Sequence, residues 1–400
     1  MGSTALDRLS SVKNLTEIWK AYWPRAKRST PGVDGITPKQ FNDNLTTHLT
    51  IIRAKLRDGY TYSRLRGVSV PKKDPTKFRI ICVPTLQDRV VQRAVLRVVE
   101  TKALKLRIAN DVSFGFVKDT IGAKRGTVAA RAAAIKHRQA RGWAFKADIE
   151  AFFDRISRDD LIDNFENAFS LKSLLPLVRR AVHSEVDVSD PRIKRILDEN
   201  GIQTGRGLRQ GMPLSPILSN FVLRDFDAAF VKGKYDLVRY ADDLVVFASS
   251  QSECEDIAAM TTAELEKLGL RLSSHKTEIY DPETPVEFLG MELGLKPGSS
   301  TYGLTIPQKQ IDKIKEHFTS HHDLDFIVSK GLDLGKLLRR LDNMKSGYKV
   351  AYGVADNRNE FYQLLDQWTQ NCVLKVYSSI FGGHAIERLT RNQRAFLMLA

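Results

Sequence analysis

The 400-residue chain reads as an α+β fold that gives way to helices, and three patterns carry that reading. Two short apolar runs, residues 236–239 and 244–247, flank Tyr240-Ala241-Asp242-Asp243 as the strands of a hairpin flank their turn. From Gly142 onward, Trp143, Phe145 and Ala147 alternate, and then Ile149, Phe152, Phe153 and Ile156 take helical spacing, so a strand ends and a helix begins at Asp148. Beyond about residue 300 the apolar residues keep helical spacing alone.

The elements follow in order. Leu15, Ile18, Trp19 and Tyr22 form an apolar stripe before Pro24, and a second helix is expected over residues 38–56. Gly59-Tyr60 breaks the pattern, residues 68–83 are β-rich, and a long helix over 87–105 buries Val90, Val91, Ala94, Val95 and Val98. The Ala-rich stretch 126–137 is helical, as is 253–268 with Met260 and Leu265 among its apolar positions, and 288–295 is a strand. Thr305-Ile306-Pro307 opens a helix with Pro in its first turn. The next helix sets Leu334, Leu337, Leu338, Leu341 and Met344 on one face, with Lys336, Arg339, Arg340, Lys345 and Lys349 elsewhere. A third carries Phe361, Leu364, Leu365, Trp368 and Cys372.

Charge is distributed unevenly. Residues 1–140 hold 28 Lys+Arg against 10 Asp+Glu (+18), residues 141–300 hold 20 against 27 (−7), and the last hundred hold 14 against 10 (+4). The basic first third suits a polyanion bound with strong salt dependence, and the acidic middle suits metal ions. Cys82, Cys254 and Cys372 are scattered, without a Cys-x-x-Cys pair, which points to reduced, buried thiols. No run of 18 apolar residues and no signal sequence is present, so a soluble cytoplasmic chain without a membrane partner is expected.

Asp242 and Asp243 carry the chemistry. Adjacent carboxylates raise each other's pKa unless a cation neutralises them, and a pair of Mg²⁺ ions does so while supplying a clamp for phosphoryl transfer. Alone, the pair reads equally well as a solvated Asp-Asp turn. Asp148, in a matching strand-end context, supplies the third carboxylate.

With these residues in place, the whole chain resembles the reverse transcriptases of bacteria, in the branch related to group II intron enzymes, retrons and defence-associated reverse transcriptases. Eight blocks match in the family's order. They are residues 30–37 (TPGVDGIT), the fingers block from Pro71 through Gln92, Ser113-Phe114-Gly115-Phe116, residues 148–156, residues 209–220 (RQGMPLSPILSN), Tyr240 to Asp243, Leu268 through Thr277, and Phe288-Leu289-Gly290. One departure is Arg209, where many relatives carry Pro before the Gln-Gly pair.

The resemblance implies a right-hand polymerase fold. Residues 1–60 would be a helical extension, 61–300 fingers and palm with an antiparallel β-sheet and packed helices, and 301–400 an all-helical thumb. It implies an RNA-directed DNA polymerase that uses two Mg²⁺ ions, with Mn²⁺ as an alternative, held by Asp148, Ile149, Asp242 and Asp243. Lys72, Arg79, Ala151, Phe152, Phe153, Gln210 and Lys276 would meet the nucleotide, with Phe153 excluding a 2′-hydroxyl. Lys276 would help protonate the leaving group or pair with Glu278. Tyr240, Gly211 and Gly290 would meet primer or template. The implied partners are dNTPs, the DNA product and a structured noncoding RNA that serves as template or scaffold, in antiviral defence. Arg53, Arg57, Arg64 and Arg66 are the residues expected to hold that RNA, with Tyr60, Tyr62 and Trp23 offering rings to unpaired bases. Template-independent or protein-primed synthesis, an intron-type mobile element, and a binding protein that keeps the hand fold are the alternatives.

Overall fold

The computed structural model describes residues 4–71, 76, 78–119 and 123–397, so Lys72 lies outside the described residues. Two compact units partition the chain. One comprises Met1–Gly126, Ala147–Val246 and Glu255–Glu278, and the other Thr127–Lys146, Phe247–Cys254 and Ile279–Ala400.

In the first unit, the helix Val12–Ala26 begins at Ser11, whose hydroxyl accepts from the Asn14 amide, and it buries the expected stripe Leu15, Ile18, Trp19 and Tyr22. The helix Leu86–Glu100 starts at Thr85 and buries Val90, Val91, Ala94 and Val95. It stops five residues short of the expected end, and Val99 is buried where Val98 was expected. Arg89, buried on the same helix, donates to the Pro84 carbonyl and to Ser29 and Thr30, which fastens the start of the 30–37 block to this helix. Strands β1 (Arg66–Pro71) and β2 (Phe78–Val83) pair antiparallel, with Arg66 opposite Val83.

A four-stranded sheet has the order β4-β5-β3-β6, from β3 (Trp143–Asp148), β4 (Asp236–Tyr240), β5 (Asp243–Ala248) and β6 (Glu278–Tyr280). Ala241 and Asp242 alone join neighbours β4 and β5, which makes these an antiparallel hairpin.

In the second unit, β7 (Val286–Phe288), β8 (Met291–Leu295) and β9 (Tyr302–Thr305) form an antiparallel sheet. Phe288 faces Met291 across Leu289 and Gly290, both of positive φ (51° and 76°), as a two-residue primed turn requires. Strand β9 corrects the helix-only expectation past residue 300. Tyr302 and Leu304 are buried and pair with Leu295 and Leu293, a four-residue alternation too short to stand out against the helical pattern after it. Pro307 caps the helix Gln308–Thr319 from outside its first turn. That helix packs on Arg358–Phe381 through Phe318 against Trp368 (5.9 Å), and Leu334–Ala351 reaches the Phe318 ring through Tyr348 (6.2 Å). The basic side chains of Leu334–Ala351 are partly neutralised internally, because Lys345 and Lys349 pair with Asp366 and Lys336 pairs with Asp333. Among the described residues no helix is long and apolar enough to cross a membrane.

Candidate active site

Strand β5 lies between β4 and β3, which brings the end of β3 to the β4–β5 turn. The Ile149 amide donates to the Asp242 carbonyl (3.1 Å), and the Asp148 carbonyl accepts from the Ser273 amide (2.8 Å). Asp148 and the turn are thus tied by backbone on both sides. The turn itself carries strain, since Ala241 sits at φ 59°, a left-handed conformation costing about 1–2 kcal/mol for a residue with a Cβ.

Arg239 holds that turn. Its guanidinium is fully buried, and it donates to both carboxylate oxygens of Asp227 (2.7 and 2.5 Å), to Asn220 Oδ1 (3.0 Å), to Ser113 Oγ (2.9 Å) and to the Ala241 carbonyl (2.9 Å). Asn220 in turn donates to the Gly115 carbonyl (2.7 Å), and Asn110 to Asp227 (2.9 Å). Gly115 lies so close that a Cβ there would stand 2.8 Å from the Ala241 amide nitrogen. Three separate sequence blocks therefore meet behind the carboxylate turn, and the two buried charges there, Arg239 and Asp227, pair with each other.

At the front, Lys276 Nζ donates to Asp148 Oδ2 at 2.8 Å. Burial alone would lower the Lys276 pKa, but the hydrogen bond to Asp148 and the charges of Asp148, Asp242 and Asp243 outweigh it and hold it above its usual value. Burial, and then the charge of Asp148, push the Asp242 carboxyl above its usual value. Among the described residues no three His, Cys, Asp or Glu side chains cluster tightly enough to hold a cation in this conformation, and the ammonium of Lys276 is the positive charge beside Asp148. The all-carboxylate donor set is nonetheless that of a hard cation such as Mg²⁺.

Arg79, Ala151 and Gln210 line one cleft of about 370 Å³, together with Cys82, Asp154 and Arg209, and the three aspartates are not among its described lining residues. The Gln210 carbonyl accepts from the Cys82 amide (2.7 Å), and Gly211, at φ 102°, approaches β2 so closely that a Cβ would meet the Cys82 carbonyl at 2.4 Å. Arg209 ties this loop to a separate part of the chain. It is buried and donates twice to Glu185 (3.1 and 2.6 Å), which also accepts from Arg158 (2.7 Å) and from the Gly205 amide (2.8 Å). Ala151 adopts φ 47° ahead of the short helix Phe152–Arg155, where Phe152 is buried and its ring meets that of Phe153 at 5.5 Å. Tyr240 is half-buried, and Gly290 lies in the turn of the second unit.

Among the expected RNA-binding residues, Arg57, Arg64 and Arg66 are exposed and Arg53 is half-buried. Tyr60 cannot offer a ring. It is 2% exposed, and its hydroxyl donates to Asp88 Oδ1 at 2.7 Å. Sequence reasoning missed Arg239, Asp227 and Glu185. The only available signal was an Arg standing in an otherwise apolar strand run.

The pattern of the family described as reverse transcriptase (RNA-dependent DNA polymerase) matches residues 70–293, and the chain belongs to that family. Its class is that of an RNA-directed DNA polymerase with the right-hand α+β fold. Protein YkfC of Escherichia coli (strain K12) is 27% identical over 325 residues, covering 70% of this chain and 81% of that protein. A putative COX1/OXI3 intron 1 protein of Saccharomyces cerevisiae is 24% identical over 352 residues, covering 72% of this chain and 39% of the yeast protein. A solved structure, a partial Cas6-RT-Cas1–Cas2 complex, is similar at 22% identity with a TM-score of 0.37, covering 66% of this chain and 41% of that one. The chain therefore spans well under two thirds of the yeast protein and of the solved chain.

Proposed function

We propose that the protein copies a structured noncoding RNA into DNA, joining dNTPs to a primer 3′-hydroxyl at Asp148, Asp242 and Asp243, in prokaryotic antiviral defence. The observation that carries the chemistry is the meeting of Asp148 with Asp242, part-buried carboxylates that act on each other beside Lys276. A pair of Mg²⁺ ions, or Mn²⁺ in their place, held by these carboxylates and Ile149 would lower the pKa of the attacking hydroxyl and neutralise the leaving pyrophosphate. Arg79 offers its guanidinium to the triphosphate from the cleft it shares with Gln210. The raised pKa of Lys276 keeps it protonated beside the carboxylates, where it neutralises charge and holds a proton for the leaving group. Backbone bonding of Gln210 to β2 leaves its side chain to orient the nucleotide or the template base. Tyr240, Gly211 and Gly290 support primer and template. The defence role rests on resemblance to retron-like and defence-associated enzymes.

Titration with Mn²⁺, read by electron paramagnetic resonance, tests the metal assignment without relying on activity. Wild type binds Mn²⁺ at the site, and Asp148→Asn weakens binding by about tenfold or more, because an amide keeps the shape and loses the charge. Equal binding by the two proteins refutes it.

Phe153→Ala admits ribonucleotides more readily, because the ring that would collide with a 2′-hydroxyl is gone. The ratio of deoxy- to ribonucleotide incorporation falls by about tenfold or more, worth about 1.4 kcal/mol. An unchanged ratio in single-nucleotide assays removes Phe153 from that role.

The RNA partner is read from the basic first third of the chain. Reversing charge at Arg53, Arg57, Arg64 and Arg66 together weakens RNA binding and flattens its salt dependence, by a slope of up to about 3 if all four neutralise single-stranded phosphates. Binding isotherms at several salt concentrations check this, and an untouched slope overturns the assignment.

A further inference from the structure

Phe116 has no role so far, yet it occupies a position that packing alone does not explain. Its φ is 60°, a backbone conformation that bulky residues rarely adopt. Its side chain is not repaid by burial, since the residue is 43% exposed whereas Phe114, two positions earlier, is 8% exposed. The outer side of Phe116 borders an open cleft of about 260 Å³ lined also by Arg97, Lys118 and Ile217. A strained, exposed aromatic held in a well-tied segment marks a functional constraint.

The surroundings say what that constraint is. The Phe114 amide donates to the Arg239 carbonyl (2.9 Å), Asn220 holds the Gly115 carbonyl, and Gly115 presses on the Ala241 amide. The lattice that fixes the carboxylate turn therefore also aims Phe116. Its ring stands edge-on to Phe153 (6.4 Å, 74°) and tilted to Tyr240 (6.2 Å, 52°). Three rings from three sequence blocks thus form one aromatic surface at the turn, and Phe116 is its exposed member.

We propose that Phe116 is a contact residue for the nascent base pair, a flat apolar surface against which the incoming nucleotide and its template base pack, and so a determinant of nucleotide selection beside Phe153. This rests on the polymerase reading above. A nucleobase and its sugar present the faces that aromatic rings accept, and the site already selects by shape if Phe153 is the sugar gate.

The test is single-nucleotide incorporation, matched and mismatched, by wild type, Phe116→Ala, Phe116→Tyr and Phe116→Gly, with the melting temperature of each. In Phe116→Ala the KM for the matched dNTP rises about tenfold and discrimination against a mismatch falls by a similar factor, the scale of losing an apolar contact in a selective pocket, while kcat changes less. Phe116→Tyr, which keeps the ring, recovers most of the loss. Phe116→Gly shows the same loss of selection with a melting temperature equal to or above wild type, because glycine relieves the left-handed strain. Wild-type KM and selectivity in Phe116→Ala overturn the proposal. So does a Phe116→Gly protein that melts lower and loses rate without losing selectivity, which is the signature of a packing residue. An inert wild type overturns the polymerase reading and this inference together, an outcome separate from either of those.

Discussion

Nucleotide incorporation is abolished when Asp242 and Asp243 are replaced together by Asn, a loss of about three or more orders of magnitude, whereas RNA binding and folding stay nearly intact. The amide keeps size and shape and removes the charge that would hold Mg²⁺, and a metal clamp supplies several kcal/mol of transition-state stabilisation at about 1.4 kcal/mol per tenfold. Stability does not suffer, for a reason visible in the structure. Burial and the Asp148 charge already work against an ionised Asp242, so the Asn variant is relieved of that cost while the Lys276–Asp148 pair stays in place. The melting temperature of the double variant is therefore equal to or above that of wild type. Activity comparable to wild type would remove the carboxylate turn from the reaction.

The largest stability effect falls on Arg239→Met. The substitution strands Asp227, itself 1% exposed at its side chain, as a buried unpaired charge, and that costs about 3–5 kcal/mol. It also strips the Ala241 carbonyl of its donor, so the strained turn that presents Asp242 loses its support, and incorporation falls with stability. Adding Asp227→Leu separates the two effects. With both charges gone the core is apolar and much of the lost stability returns, while incorporation stays low because Ala241 still lacks its partner. Urea midpoints at unchanged m and single-turnover rates measure the two quantities. A double variant as unstable as the single one would show that the ion pair is not what the core depends on.

The hairpin of Asp242 and Asp243 was legible because its two flanking strands are short, apolar and separated by the two residues that matter. Asp148 was legible because the spacing of apolar residues changes there from two to helical. Arg239 was not. Its partners Asp227, Asn220 and Ser113 lie 12, 19 and 126 residues away, and no local periodicity encodes a buried guanidinium that five side-chain and backbone acceptor atoms satisfy. The same holds for Glu185, which joins Arg158 and Arg209 from a separate part of the chain. Tyr60 shows the opposite error. An aromatic beside arginines suggests a stacking ring, but an acceptor 28 residues on, Asp88, draws it into the core. Strand β9 was hidden because four residues ahead of a long helix leave too little alternation to read. Long-range polar satisfaction, more than hydrophobic pattern, is what a single sequence conceals.

Primer extension on a defined RNA, followed by sequencing of the product, tests the reading of this chain most directly. Purified protein, Mg²⁺, the four dNTPs and a primer annealed to that RNA yield DNA complementary to it, no such product forms when the template is omitted, and none forms with Asn at positions 242 and 243. DNA of equal length and unrelated sequence, made with or without the RNA, would contradict templated copying, and equal product from the Asn variant would contradict the carboxylate site.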